Sequence, residues 1–149
     1  MAARSTAQFL VIPLVILLAG QLNTAVAEEK VKTPERIEGT TLVSAEQFLE
    51  LVENKPDLVI IDARIEMDRK QGYIETSISL PNIDTDCSSL ATHIPAKDHN
   101  VLFYCNGVKC GRSAKSAKIA LGCGYKNIYW FRGGIEEWKD KKLPLVKDQ

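Results

Sequence analysis

Short apolar runs with no polar interruption, alternating with stretches of helical period, constrain this chain more than any other feature. The runs are Leu-Val-Ile-Ile at 58–61, Val-Leu-Phe-Tyr at 101–104 and Ile-Tyr-Trp at 128–130, with a weaker Ser-Ile-Ser-Leu at 77–80. Helical stretches fall near 66–71, near 88–93 and over 113–121, where Ala114, Ala117, Ala120 and Leu121 recur at helical spacing and Lys115 and Lys118 take the other face. Upstream, Ser44-Ala45-Glu46-Gln47 has the pattern of a capping box, and Phe48, Leu49, Leu51 and Val52 continue an amphipathic helix. A strand that is apolar at every position must be covered on both faces, as parallel sheets are. The expected fold is therefore α/β, a mostly parallel five-stranded sheet with helices on both faces.

The first residues bear on compartment. Arg4 supplies a positive start, 9–20 is apolar, and Ala25-Val26-Ala27 precedes Glu28-Glu29 as an A-x-A cleavage site. Residues 1–27 are read as a secretory signal peptide, cleaved near Ala27, with export to the periplasm or beyond. The apolar run is shorter than the roughly 20 residues that span a bilayer, and Pro13 interrupts it, so no stable membrane anchor is expected. Residues 28–40, charged and containing Pro34, read as an extended lead-in, and 41–149 as one domain. Removal of 1–27, whose only charge is Arg4, leaves 122 residues of net charge −1. That balance points to no nucleic-acid partner and makes Lys139-Asp140-Lys141-Lys142 a solvated face.

The chemistry concentrates after the run at 101–104, in Cys105-Asn106-Gly107-Val108-Lys109-Cys110-Gly111-Arg112-Ser113. A cysteine attacks only as its thiolate. Here Cys105 ends a strand and enters a loop that opens a helix, where backbone N–H groups converge and favour an anion. Lys109 and Arg112 add positive charge, so the surroundings should lower the Cys105 pKa. A cysteine can also end a strand as plain core, but two glycines, a lysine and an arginine in the next seven residues suit anion binding better than packing.

On these residues the chain resembles the rhodanese-like sulfurtransferases. Leu58-Val59-Ile60-Ile61-Asp62-Ala63-Arg64 is similar to the family's strand ending in Asp-x-Arg. Gly72-Tyr73-Ile74-Glu75-Thr76-Ser77 followed by Leu80-Pro81 is similar to a family segment with His where Tyr73 stands and Gly-Ala where Thr76-Ser77 stand. Tyr104-Cys105 with Arg112-Ser113-Ala114 resembles the active-site loop, and Gly124-Tyr125 through Gly133-Gly134-Ile135-Glu136-Glu137-Trp138 the closing strand and helix. The six residues from Asn106 to Gly111 separate Cys105 from Arg112 by more than is usual in these sulfurtransferases or in the related phosphatases and arsenate reductases. Loop diameter decides which anion fits, so the substrate does not follow from the resemblance alone.

The resemblance implies a transferase that moves sulfane sulfur from a small anionic donor such as thiosulfate to a thiophilic acceptor, a small molecule or a protein thiol, through a Cys105 persulfide. Cys105 is then the catalytic residue. The loop residues Asn106, Gly107, Val108, Lys109, Cys110, Gly111 and Arg112 bind substrate, with Lys109 and Arg112 steadying the leaving anion. Asp62 and Arg64 support the site as an ion pair or loop contact. Gly133, Gly134 and Trp138 are turn and packing residues, and Tyr73 is a packing substitution. No metal or organic cofactor is required, since the cysteine spacing suits neither zinc nor a thioredoxin motif. His93 and His99 are read as surface residues.

Two other readings stay open. An enlarged loop could admit a tetrahedral oxyanion, for phosphatase or arsenate-reductase chemistry. Alternatively, the loop places Cys110 against Cys105 as a redox or persulfide-carrier module, with Cys110 closing a disulfide or releasing the persulfide sulfur. All four cysteines, Cys87, Cys105, Cys110 and Cys123, lie in the part expected to be exported, where disulfides persist.

Overall fold

A computed structural model describes residues 33–147. The expected signal peptide, 1–27, lies outside them. The element order is β1 (Thr40–Leu42), α1 (Ala45–Asn54), β2 (Val59–Asp62), α2 (Glu66–Arg69), β3 (Ile78–Ser79), α3 (Cys87–His93), β4 (Asn100–Tyr104), α4 (Arg112–Gly122), β5 (Asn127–Phe131) and α5 (Gly134–Asp140). Five strands form one sheet in the order β1-β5-β4-β2-β3, and every pairing is parallel. The sheet is thus wholly parallel, and β4, buried at all five positions, lies at its centre.

Alternation along β4 explains why an unbroken apolar run was needed. Val101 and Phe103 join Ile61, Ile128 and Trp130 under α3 and α4, through Leu90, Ala114, Ala117 and Ala120. Leu102 and Tyr104 turn the other way and join Ile60 and Phe131 under α1 and α5, through Phe48, Ile135 and Trp138. On that side Phe48 packs edge-on to Phe131 with ring centroids 5.4 Å apart and lies 5.2 Å from Trp138. α1 carries the expected capping box, Ser44 accepting from the Gln47 amide and Gln47 returning to the Ser44 amide. Ile37, in the segment read as a lead-in, is buried in the core, and the Pro34 carbonyl accepts from Arg132 Nε at 2.9 Å.

A disulfide joins Cys87, at the start of α3, to Cys123, just past α4, with Cα atoms 5.4 Å apart. Its sequence separation of 36 corresponds, in the chain-entropy account, to about 3–4 kcal/mol of stabilisation. His99 departs from the surface reading: it is half-buried, and its Nδ1 has no hydrogen-bond partner among the described residues. His93 is also half-buried.

Thr76 has φ 66°, in the left-handed region. The family segment that the sequence resembles has glycine there, and the conformation explains why: a Cβ in that region clashes with the following carbonyl oxygen at about 1–2 kcal/mol. Thr76→Gly should therefore stabilise the chain by about 0.5–1 kcal/mol after the entropy lost on fixing a glycine, read as a higher urea midpoint at unchanged slope. A lower midpoint would mean that the threonine side chain contributes more than its backbone costs.

Candidate active site

β4 delivers Cys105 to the carboxyl edge of the sheet, where ligands of parallel α/β sheets bind. The side chain is 1% exposed. The loop then runs from half-buried Asn106 and buried Gly107 through exposed Val108 and Lys109 to half-buried Cys110, and α4 opens at Arg112.

α5 clamps the start of this loop. The Ile135 amide donates to the Cys105 carbonyl at 3.0 Å and the Glu136 amide to the Asn106 carbonyl at 2.7 Å. Such an approach needs Gly134, which has φ 55°, and a Cβ there would collide with the Cys105 carbonyl oxygen. Gly134→Ala should therefore cost about 1–3 kcal/mol, from a disfavoured φ and overpacking, and should loosen the loop. Denaturation that matches the parent chain would remove this role. At Gly107, by contrast, a Cβ would meet only the Glu136 side chain, whose carboxylate end is free to shift, and the backbone φ is not positive.

Two carboxylates that sequence reading missed face the loop. Asp68, from α2, accepts at Oδ2 from Asn106 Nδ2 at 2.9 Å and from Arg112 Nη1 at 2.5 Å. Partial burial works against the Asp68 charge, but the hydrogen bonds from Arg112 and Asn106 outweigh it and hold the carboxyl below its usual range. Glu136 is the other. It borders two grooves beside the loop, one with Arg64, Asp68 and Asn106 and one with Lys109, Cys110 and Arg112. Neither acid had a sequence signal, because each reaches the loop through the fold.

Some expected donors are therefore engaged elsewhere. Arg112 is paired with Asp68 rather than free for an anion, and the Cys110 amide donates to the Gly107 carbonyl at 2.9 Å. Lys109 is exposed at the loop tip. The loop is also covalently closed: Cys105 and Cys110 are joined as a disulfide, with Cα atoms 6.2 Å apart. All four cysteines are thus paired.

Asp62 and Arg64 form the ion pair expected of them, buried beside the loop. Asp62 Oδ1 accepts from the amide and Nε of Arg64 at 3.1 and 2.9 Å. Oδ2 accepts from Arg64 Nη2 at 2.7 Å, Arg69 Nη1 at 3.0 Å and the Tyr104 hydroxyl at 2.8 Å. Burial pushes the Tyr104 phenol up, the Asp62 charge pushes it further, and it stays a donor. Arg64 also donates to the carbonyls of Gly72 and Asp68, at 2.9 and 3.2 Å, so the network fixes the turn that presents Asp68. Arg69 stacks over the Tyr73 ring at 3.7 Å, a packing role where the family pattern has histidine.

The sequence profile of the rhodanese-like domain matches residues 44–141. A tRNA uridine(34) hydroxylase of Yersinia pestis (strain Pestoides F) is 30% identical over 112 residues, 69% of this chain and 30% of that protein. The chain thus spans under a third of the length of that curated relative. Among solved structures, a rhodanese with anions from E. coli superposes with TM-score 0.51 at 27% identity, over 61% of this chain and 99% of that one. Thiosulfate sulfurtransferase from Pseudomonas aeruginosa superposes with TM-score 0.63 at 23% identity, over 74% of this chain and 21% of that one.

Proposed function

The chain belongs to the rhodanese-like domain family, and from that membership we propose that it is an exported sulfurtransferase carrying sulfane sulfur as a persulfide on Cys105. The observation that carries this reading is the position of Cys105, at the end of the central strand and beneath a loop whose first two carbonyls are held by α5. With the loop reduced, the Cys105 thiolate attacks the outer sulfur of a donor such as thiosulfate. The S–S bond breaks, and sulfite leaves with its electron pair. A thiophilic acceptor, cyanide or a thiol, then removes the outer sulfur. The attacking species is the thiolate, so this step transfers no proton. Export is supported by the pairing of all four cysteines, as expected of a chain that matures where disulfides persist.

The test is direct. The full chain, reduced and given thiosulfate and cyanide, should form thiocyanate catalytically and leave an aryl phosphate intact. Aryl phosphate hydrolysis without thiocyanate would replace this reading with the phosphatase one.

The acidic residues around the loop oppose a dianionic donor. In Asp68→Asn the Arg112 guanidinium loses its counter-charge, so kcat/KM for thiosulfate should rise by about two- to fivefold, the scale of a half-exposed ion pair screened by solvent. Arg112→Ala should move it the other way. A fall in kcat/KM for Asp68→Asn would instead make Asp68 the group that positions Arg112.

A further inference from the structure

We propose that Cys110 resolves the Cys105 persulfide, releasing its outer sulfur as free hydrosulfide and leaving the Cys105–Cys110 disulfide, which an external dithiol then reduces. This rests on the sulfurtransferase reading and deepens it by naming the fate of the sulfur and the class of the second substrate.

Three observations carry it. The two cysteines share one loop and are bonded, with Cα atoms 6.2 Å apart, so the Cys110 sulfur reaches the Cys105 sulfur without unfolding either flanking element. The loop is turned back on itself by the Cys110 amide on the Gly107 carbonyl, with Asn106 tied to Asp68 and the Cys105 carbonyl held by α5. The two cysteines also differ in access. Cys105 is 1% exposed, whereas Cys110 is half-buried and borders a groove with Lys109, Gly111 and Arg112.

The chemistry balances. Sulfur transfer leaves Cys105 as Sγ–SH. The Cys110 thiolate attacks Cys105 Sγ, the bond from Sγ to the outer sulfur breaks, and hydrosulfide leaves with the electron pair. The two cysteines have lost two electrons and the sulfane sulfur has gained them. A dithiol then restores the protein. Its first thiolate attacks the accessible Cys110 Sγ and expels Cys105 as thiolate; its second thiol closes a disulfide within the reductant and frees Cys110. In sum, thiosulfate and a dithiol become sulfite, hydrosulfide, a proton and the oxidised dithiol. The Cys87–Cys123 disulfide, at the opposite end of α4, takes no part.

The experiment is a single turnover. The full chain is reduced, freed of reductant without oxygen, and mixed with thiosulfate and no acceptor. About one hydrosulfide per chain should appear, with Cys105 and Cys110 recovered in one disulfide-linked peptide pair. Cys110→Ser, and Cys110→Ala as a second variant, should release none and keep one extra sulfur on the Cys105 peptide. Dithiothreitol should convert the wild-type burst into continuous hydrosulfide release. A wild-type chain that keeps its persulfide with Cys110 free, or equal release from the Cys110 variants, overturns the proposal and leaves sulfur transfer standing. No extra sulfur on Cys105 in the variants and no hydrosulfide from the wild type removes both.

Discussion

Cys105→Ser is expected to reduce thiocyanate formation from thiosulfate and cyanide to the uncatalysed background, a fall of about 10³-fold or more. The expectation follows from where the sulfur sits. Cys105 is the residue that β4 delivers to the loop, and serine at that position has no thiolate to accept a sulfur atom. Serine is close in size, and the Cys105 carbonyl that receives the Ile135 amide is unchanged, so the variant should fold. It should show no extra sulfur by mass after thiosulfate. Cys123→Ser should keep its turnover while losing the stability of the Cys87 bridge. Wild-type turnover by the Cys105 variant would remove the mechanism.

Much of this arrangement was legible in the sequence, for reasons that differ element by element. The strands at 58–61 and 101–104 declared themselves because a parallel sheet buries both of their faces, and the structure places β2 and β4 within a residue of those runs. The capping box at Ser44 was legible because its partners are three residues apart. β1 was not: Thr40, Thr41 and Leu42 have no pattern of their own and become a strand by pairing with Ile128, Tyr129 and Trp130. Asp68 and Glu136 were hidden for the same reason, as they meet the loop from elements 38 and 30 residues away in sequence. Four cysteines allow three pairings, and only the fold brings Cys87 to Cys123. The cationic appearance of the loop was the misleading feature, because charge counted along the chain omits the acid that Arg112 meets in space.

Asp62→Ala is expected to be the most destabilising single change near the site, by about 3–5 kcal/mol, the range for breaking a buried ion pair from one side. Asp62 is fully buried and Arg64 is 2% exposed, so removing the carboxylate leaves a buried guanidinium without its counter-ion. Arg69 and the Tyr104 hydroxyl lose an acceptor as well, although Arg69 keeps Ser77 and Tyr104 keeps Ser77 Oγ. The consequence for function runs through Arg64. Its hydrogen bond to the Asp68 carbonyl helps to fix the residue that holds both Asn106 and Arg112. Below its melting range, Asp62→Ala should therefore also loosen the hold of Asp68 on Arg112 and lower the KM for thiosulfate, in the direction expected of Asp68→Asn, whereas Asp62→Asn, which keeps an acceptor at Oδ1, should change stability and KM less. Urea denaturation and steady-state kinetics on the same preparations decide it. A loss under about 1 kcal/mol, the scale of an exposed pair, would mean that the buried pair is not the support the geometry describes; a large loss of stability with unchanged KM would separate the network from the loop.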